Sequence, residues 1–141
     1  MKRYGLFILA VALLAGGCQH EPIDKQEADA IVTKYIKKNF KSDDRTERAA
    51  YYYNKLDEEW IEMSFFSEED IVAENAFVYY IDEMFGAYGP SPHRYRIILV
   101  QKENGKYTVY QRSSYPSAGS DANWKLLYMF ANGQFWYCDA N

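Results

Sequence analysis

The sequence has little of what most catalytic and metal sites are built from. Its 141 residues hold two histidines, His20 and His93, and two cysteines, Cys18 and Cys138. Cys18 and His20 stand in the amino-terminal segment ahead of the folded part, which leaves one histidine and one cysteine, too few for the four ligands of a structural zinc site. There is no Gly-x-x-x-x-Gly-Lys run to cradle phosphates, no Gly-x-Gly-x-x-Gly fingerprint and no His-Glu-x-x-His pair. The segment Gly89-Pro90-Ser91-Pro92-His93 is not a nucleophile elbow, because its prolines forbid the strained strand-to-helix turn. The motifs therefore imply no cofactor and no metal, and the chain reads as non-enzymatic. A basic excess is also missing: sixteen bases face twenty acids. Nucleic-acid binders draw most of their affinity from neutralising phosphates, so neither DNA nor RNA is an expected partner. Glycine and proline are sparse while aromatics make up 18%, which excludes intrinsic disorder.

Long apolar runs are almost absent too. The exception is Gly5 to Ala15, eleven uncharged residues behind Lys2 and Arg3 and ahead of Ala15-Gly16-Gly17-Cys18. A spanning helix needs about 20 residues, whereas a secretory leader needs about half that. The stretch Leu14-Ala15-Gly16-Gly17-Cys18 resembles the lipobox of bacterial lipoproteins, with Ala15 at the position where that family commonly has Leu. The resemblance implies cleavage after Gly17, a diacylglycerol on the Cys18 sulfur and an acylated new amino terminus, so that acyl chains hold the protein to a membrane. Gln19 follows, where the inner-membrane retention signal has Asp. The implied address is the outer membrane facing the periplasm in a Gram-negative cell, and otherwise the outer face of the plasma membrane. The chain then divides into a signal peptide over 1–17, a lipid-anchored tether over 18–23 and one domain over 24–141. The mature chain carries fourteen bases against the same twenty acids. Only Cys138 is left as a thiol, and with no positive neighbour it is expected to be a small buried hydrophobe.

The domain opens with a helix. Asp24 and Glu27 stand in capping-box spacing, and Ala28, Ile31, Val32, Tyr35, Ile36 and Phe40 recur on one face. Lys34, Lys37, Lys38 and Lys41 fall near its end, where cations suit the helix dipole; a membrane-facing role is the alternative. Strands are expected over Ala49 to Asn54 and Trp60 to Phe66, the second alternating Ile61, Met63 and Phe65 against Glu62 and Ser64. Ser67 with Asp70 suggests a short helical turn through Ala76, followed by a strand over Phe77 to Ile81; one longer helix through this region is the alternative. Asn104-Gly105 and Asn132-Gly133 each mark a hairpin.

A helix followed by five or six mostly antiparallel strands makes an α+β domain. The order resembles the small cystatin-like and NTF2-like folds, in which a curved sheet wraps a helix, a likeness of architecture that transfers no functional residues.

Two binding surfaces are expected. The register set by Asn132-Gly133 puts Leu127, Met129, Trp136 and Cys138 on one face, taken as core, and Tyr128, Phe130, Phe135 and Tyr137 on the other. Either the Asp24 helix or a partner must cover these four aromatics. If the second half is a meander, the connections 82–93 and 113–123 share one end of the sheet. Met84, Phe85, Tyr88, His93, Tyr115, Ser120 and Asp121 would gather there. From Leu56 to His93 there are ten acids and neither lysine nor arginine, a solvated face or a dock for a basic protein. The leading expectation is an envelope lipoprotein whose domain binds a protein, a glycan or another small ligand. An inhibitor or immunity-type protein that blocks one enzyme or toxin comes second, and a carboxylate-based enzyme third.

Overall fold

The computed structural model describes residues 21–85 and 93–137. The expectations for Cys18, Tyr88 and Cys138 lie outside those residues.

One helix, α1 (Lys25–Asn39), is followed by β1 (Arg48–Tyr53), β2 (Trp60–Phe65), β3 (Glu68–Glu74), β4 (Ala76–Asp82), β5 (Tyr95–Gln101), β6 (Tyr107–Arg112), β7 (Trp124–Ala131) and β8 (Gln134–Trp136). The class is α+β. The capping box forms as the spacing requires: the Glu27 amide donates to the Asp24 carboxylate, and the Asp24 amide donates to the Glu27 carboxylate, both at 2.8 Å. Six strands form an antiparallel sheet in the order β6-β5-β4-β1-β7-β8, and β2 and β3 pair as a separate hairpin.

The sheet is a middle layer. Along β4, Phe77, Tyr79 and Ile81 point toward Ala28, Val32 and Ile36 of α1. Val78 and Tyr80 alternate to the opposite face, where Ile61, Met63, Phe65, Ile71 and Ala73 of the β2–β3 hairpin cover them. β4 is therefore buried on both faces, which explains why FVYYI carries no charged residue.

Two expectations are corrected. Residues 67–76 form no helical turn: Ser67 adopts a left-handed conformation (φ 59°) at the tip of the β2–β3 hairpin. The sequence Glu68–Glu74 alternates Ile71 and Ala73 inward against Asp70, Val72 and Glu74, and burial of that apolar pair outweighs the local capping signal. Asn75, also left-handed at φ 48°, is the one-residue corner where the chain leaves the hairpin for the main sheet.

The second half is not a simple meander. β7 pairs with β1 rather than β6, so the two Asn-Gly turns lie at opposite ends of the sheet. The connection 113–123 crosses the hairpin side from the end of β6 to the start of β7. On the way Ser117 bridges Ser64 of β2, and Pro116 and Ala118 are buried. Glu68 fastens this crossover, accepting from the Ser113 amide at 2.7 Å and from its hydroxyl at 2.5 Å.

The last hairpin keeps its expected turn and is buried on both faces, with Met129 on one and Tyr128 and Phe130 on the other. Asn132 and Gly133 both have positive φ and set the expected register, Phe130 opposite Phe135 and Met129 opposite Trp136. Of the two covers expected for the aromatic face, it is the helix α1 that meets it. A bulge between Ala50 and Tyr51 shifts the β1–β7 register, so Leu127 and its neighbour Tyr128 both pack into the helix-side core.

Candidate functional site

The four aromatics of the last hairpin are core, with one exception. Tyr128 and Phe130 are buried under α1, the Tyr128 hydroxyl lies 3.0 Å from that of Thr33, and Phe40 meets Phe130 edge-on. Burial pushes the Tyr128 phenol up to about 12. Phe135 stacks on Phe130. Only Tyr137 is open, at 72% exposure, with its ring edge toward Tyr128. The helix covers Tyr128 and Phe130, leaving Tyr137 and part of Phe135 open.

The proposed loop site is assembled differently from expectation. His93 stacks on Tyr95, and its Nδ1 lies 3.6 Å from Asp82. Tyr95 meets Tyr80, which stacks on Tyr51 at 4.6 Å and meets Trp124 edge-on at 4.8 Å. Tyr115, brought in by the crossover, lies 3.4 Å from the Asp121 carboxylate, while Ser120 caps the short turn Asp121–Asn123. Burial raises the Tyr80 and Tyr95 phenols above their ordinary range, with Asp82 adding to both. Met84 and Phe85 stand partly buried after β4. His93 and Tyr115 thus belong to one tyrosine-rich wall, but most of it is packed against neighbours. Its missed members, Tyr51, Tyr80 and Tyr95, share strand parity with residues under the hairpin; pairing β1 beside β4 is what joins them.

The open surface is the outer face of the β2–β3 hairpin. Trp60, Glu62 and Ser64 face outward from β2, and Asp70, Val72 and Glu74 from β3. Trp60 stands opposite Glu74, and Glu62 opposite Val72, so the two apolar side chains lie diagonally among carboxylates. Trp60 is 60% exposed, Val72 42%, and Phe66 at the hairpin tip 85%. Glu59 and Asn75 extend the surface beside Trp60 in a shallow groove with Glu74. Sequence reasoning picked out the acids and missed Trp60. The signal was available, since strand parity already placed Trp60 on the side of Glu62.

Three lysines of α1, with Lys41 just past its end, lie in the opposite layer. Lys34, Lys37, Lys38 and Lys41 are exposed, and among the described residues none of them forms an ion pair. The sheet thus separates a lysine-bearing layer from an acid-bearing one. Among the described residues, no group of three or more His, Cys, Asp or Glu side chains is placed to hold a metal ion, and no helix is long and apolar enough to cross a membrane. Compared with known proteins, the chain matches no family model, no curated protein and no solved structure.

Proposed function

We propose that the chain is a membrane-anchored envelope lipoprotein, held through acyl chains on Cys18, whose domain is a non-catalytic binding module for a basic protein. The observation that carries the binding reading is the hairpin's outer face. Trp60 and Val72 stand exposed among Glu62, Asp70 and Glu74, within a stretch from Leu56 to His93 that has no cation. An exposed tryptophan among like charges suits an interface: the indole supplies buried area, and the carboxylates steer and select a cationic partner. The tyrosine wall with His93 and Tyr115 is a secondary surface, suited to a glycan or small ligand through stacking. The leader's apolar run, followed by Gly16-Gly17-Cys18, supports the anchor. A helix lying on an antiparallel sheet supports the likeness to cystatin-like and NTF2-like folds.

The same surface accommodates the inhibitor or immunity-type reading, in which the basic partner is one dedicated enzyme or toxin held in equal proportion. Two experiments test the proposal. Mass spectrometry of the mature terminus should find an acylated Cys18, and Cys18→Ser should abolish it; an unmodified terminus at Gln19 removes the anchor. Affinity capture should retain a basic protein on the wild-type chain and lose it on Trp60→Ala with Glu62→Gln and Glu74→Gln. Equal retention by a folded triple variant moves the site elsewhere.

A further inference from the structure

The lysine face of α1 has a geometry of its own. From Ala30 to Ser42 the sequence has four lysines and no acid. In the structure these lysines flank the helix in two pairs, each above a groove with an aromatic wall. Lys34 and Lys38 border a groove of about 350 Å³ between α1 and Tyr107 of β6. Lys37 and Lys41 border one of about 210 Å³ that reaches Phe135 of β8. Tyr107 is half-exposed and meets Tyr35 edge-on at 5.7 Å, and Lys37 lies over the Phe135 ring at 5.5 Å. Lysines bordering grooves walled by tyrosine and phenylalanine suit the boundary between water and lipid headgroups, where long cationic side chains and aromatic rings are both at home.

The tether joins the domain on this side. The Ile23 amide donates to the Lys102 carbonyl, and Ile23 packs beside Gly105, which itself lines the Lys34–Lys38 groove. Ile23 is the fifth residue after Cys18, a reach of about 17 Å at full extension.

We propose that the lysine face of α1 rests on the anionic headgroups of the anchoring membrane, turning the acid hairpin face toward the aqueous side. The orientation rests on the anchor reading; the attraction of the lysine face to an anionic bilayer does not. Each lysine near such a surface contributes about a fivefold gain in binding, and the effect fades beyond a Debye length of about 8 Å at physiological salt. The acids of the hairpin, carried on the far face of the sheet, are repelled by the same field.

The test uses the full chain, purified from membranes and reconstituted in vesicles of phosphatidylcholine with or without phosphatidylglycerol. Lysines are acetylated with a membrane-impermeant reagent and read by peptide mass spectrometry. The expected result is several-fold lower labelling of Lys34, Lys37, Lys38 and Lys41 in the anionic vesicles, with Lys55 beside the hairpin unchanged. Protection should vanish at 1 M salt. Replacing all four by glutamine, with thermal stability as the control for folding, should raise labelling of Lys106, next to Tyr107, to its level on neutral vesicles. Equal labelling of the four lysines in both vesicle types overturns the proposal, as does protection of Lys55. Failure of the anchor reads out separately: a chain without acyl groups leaves the neutral vesicles on flotation. The four-glutamine variant of that chain should then bind anionic vesicles more weakly by about fivefold per charge removed. Unchanged binding overturns the lysine face as well.

Discussion

Thr33 on the helix and Tyr128 on β7 meet hydroxyl to hydroxyl at 3.0 Å, across ninety-five residues of sequence. The contact sits where α1 crosses the aromatic face of the last hairpin, with Phe135 and Phe130 packed against the same tyrosine ring. Tyr128→Ala should therefore destabilise the domain by about 3–5 kcal/mol. Tyr128→Phe, which removes one hydrogen bond and little volume, should cost about 1 kcal/mol. Tyr137→Ser should stay within about 0.5 kcal/mol. Chemical denaturation of the three variants checks the order; a costly Tyr137→Ser alongside a silent Tyr128→Ala would reverse the assignment of core and surface.

The tyrosines should divide on alkaline titration. Burial raises the phenols of Tyr79, Tyr80 and Tyr128, Tyr128 to about 12, while an unfolded chain ionises them near 10. A raised folded-state pKa contributes stability that is whole below the unfolded value and lost as pH climbs toward the folded one. Stability should hold to about pH 10 and then fall, Tyr128 alone accounting for about 2 kcal/mol by pH 12. Ultraviolet difference absorbance should show exposed tyrosines ionising first and the buried set only with unfolding. One smooth titration with no loss of structure would contradict their burial.

The hairpin tip offers a gain. Ser67 holds φ 59°, where a Cβ is unfavourable, so Ser67→Gly should stabilise the domain by about 1 kcal/mol and Ser67→Val should destabilise it by a similar amount. Thermal denaturation checks both signs. A destabilising glycine would mean that the serine side chain makes a contact that outweighs its strain.

Acid should loosen the crossover. The Ser113 hydroxyl and amide hold the Glu68 carboxyl below its usual range. A depressed pKa contributes stability present above the unfolded value, near 4.5, and lost as pH falls through the folded one. Limited proteolysis within 113–123 should quicken below about pH 4, and Glu68→Gln should show the quickened rate at neutral pH. Equal rates for both chains at every pH would remove Glu68 as the fastener.

The elements that local rules govern were legible. Asp24 and Glu27 announced the helix start, and Asn132-Gly133 announced the last turn and its register. What failed was decided by partners remote in sequence. Ser67 and Asp70 carry a capping signature, yet Ile71 and Ala73 have Met63 and Ile61 to pair with, and that burial selects strand. The bulge opposite Ala50 and Tyr51, which brings Leu127 to the helix side beside Tyr128, belongs to the pairing of β7 with β1 and had no local signal. The hairpin surface was legible in charge and, through the parity of Trp60 with Glu62, in shape. The tyrosine wall was not, because nothing local to Tyr51, Tyr80 and Tyr95 states that β1 lies beside β4.

The place of β1 has a consequence for how the chain acquires its structure. The first strand made is a central strand of the sheet, flanked by β4 and by β7, and Ala50 finds its partner Tyr128 only near the far end of the chain. Until β7 exists, one edge of β1 stays open, with Ala49 to Tyr53 exposed to whatever strand comes first. Loop-closure entropy must be met before this pairing returns any free energy, so the closing of β7 onto β1 should be the slow step and should lag the local hairpins. A chain cut short before Trp124 would keep β1 beside β4 but leave the other side of β1 an open edge, which is the form most open to mispairing with another chain.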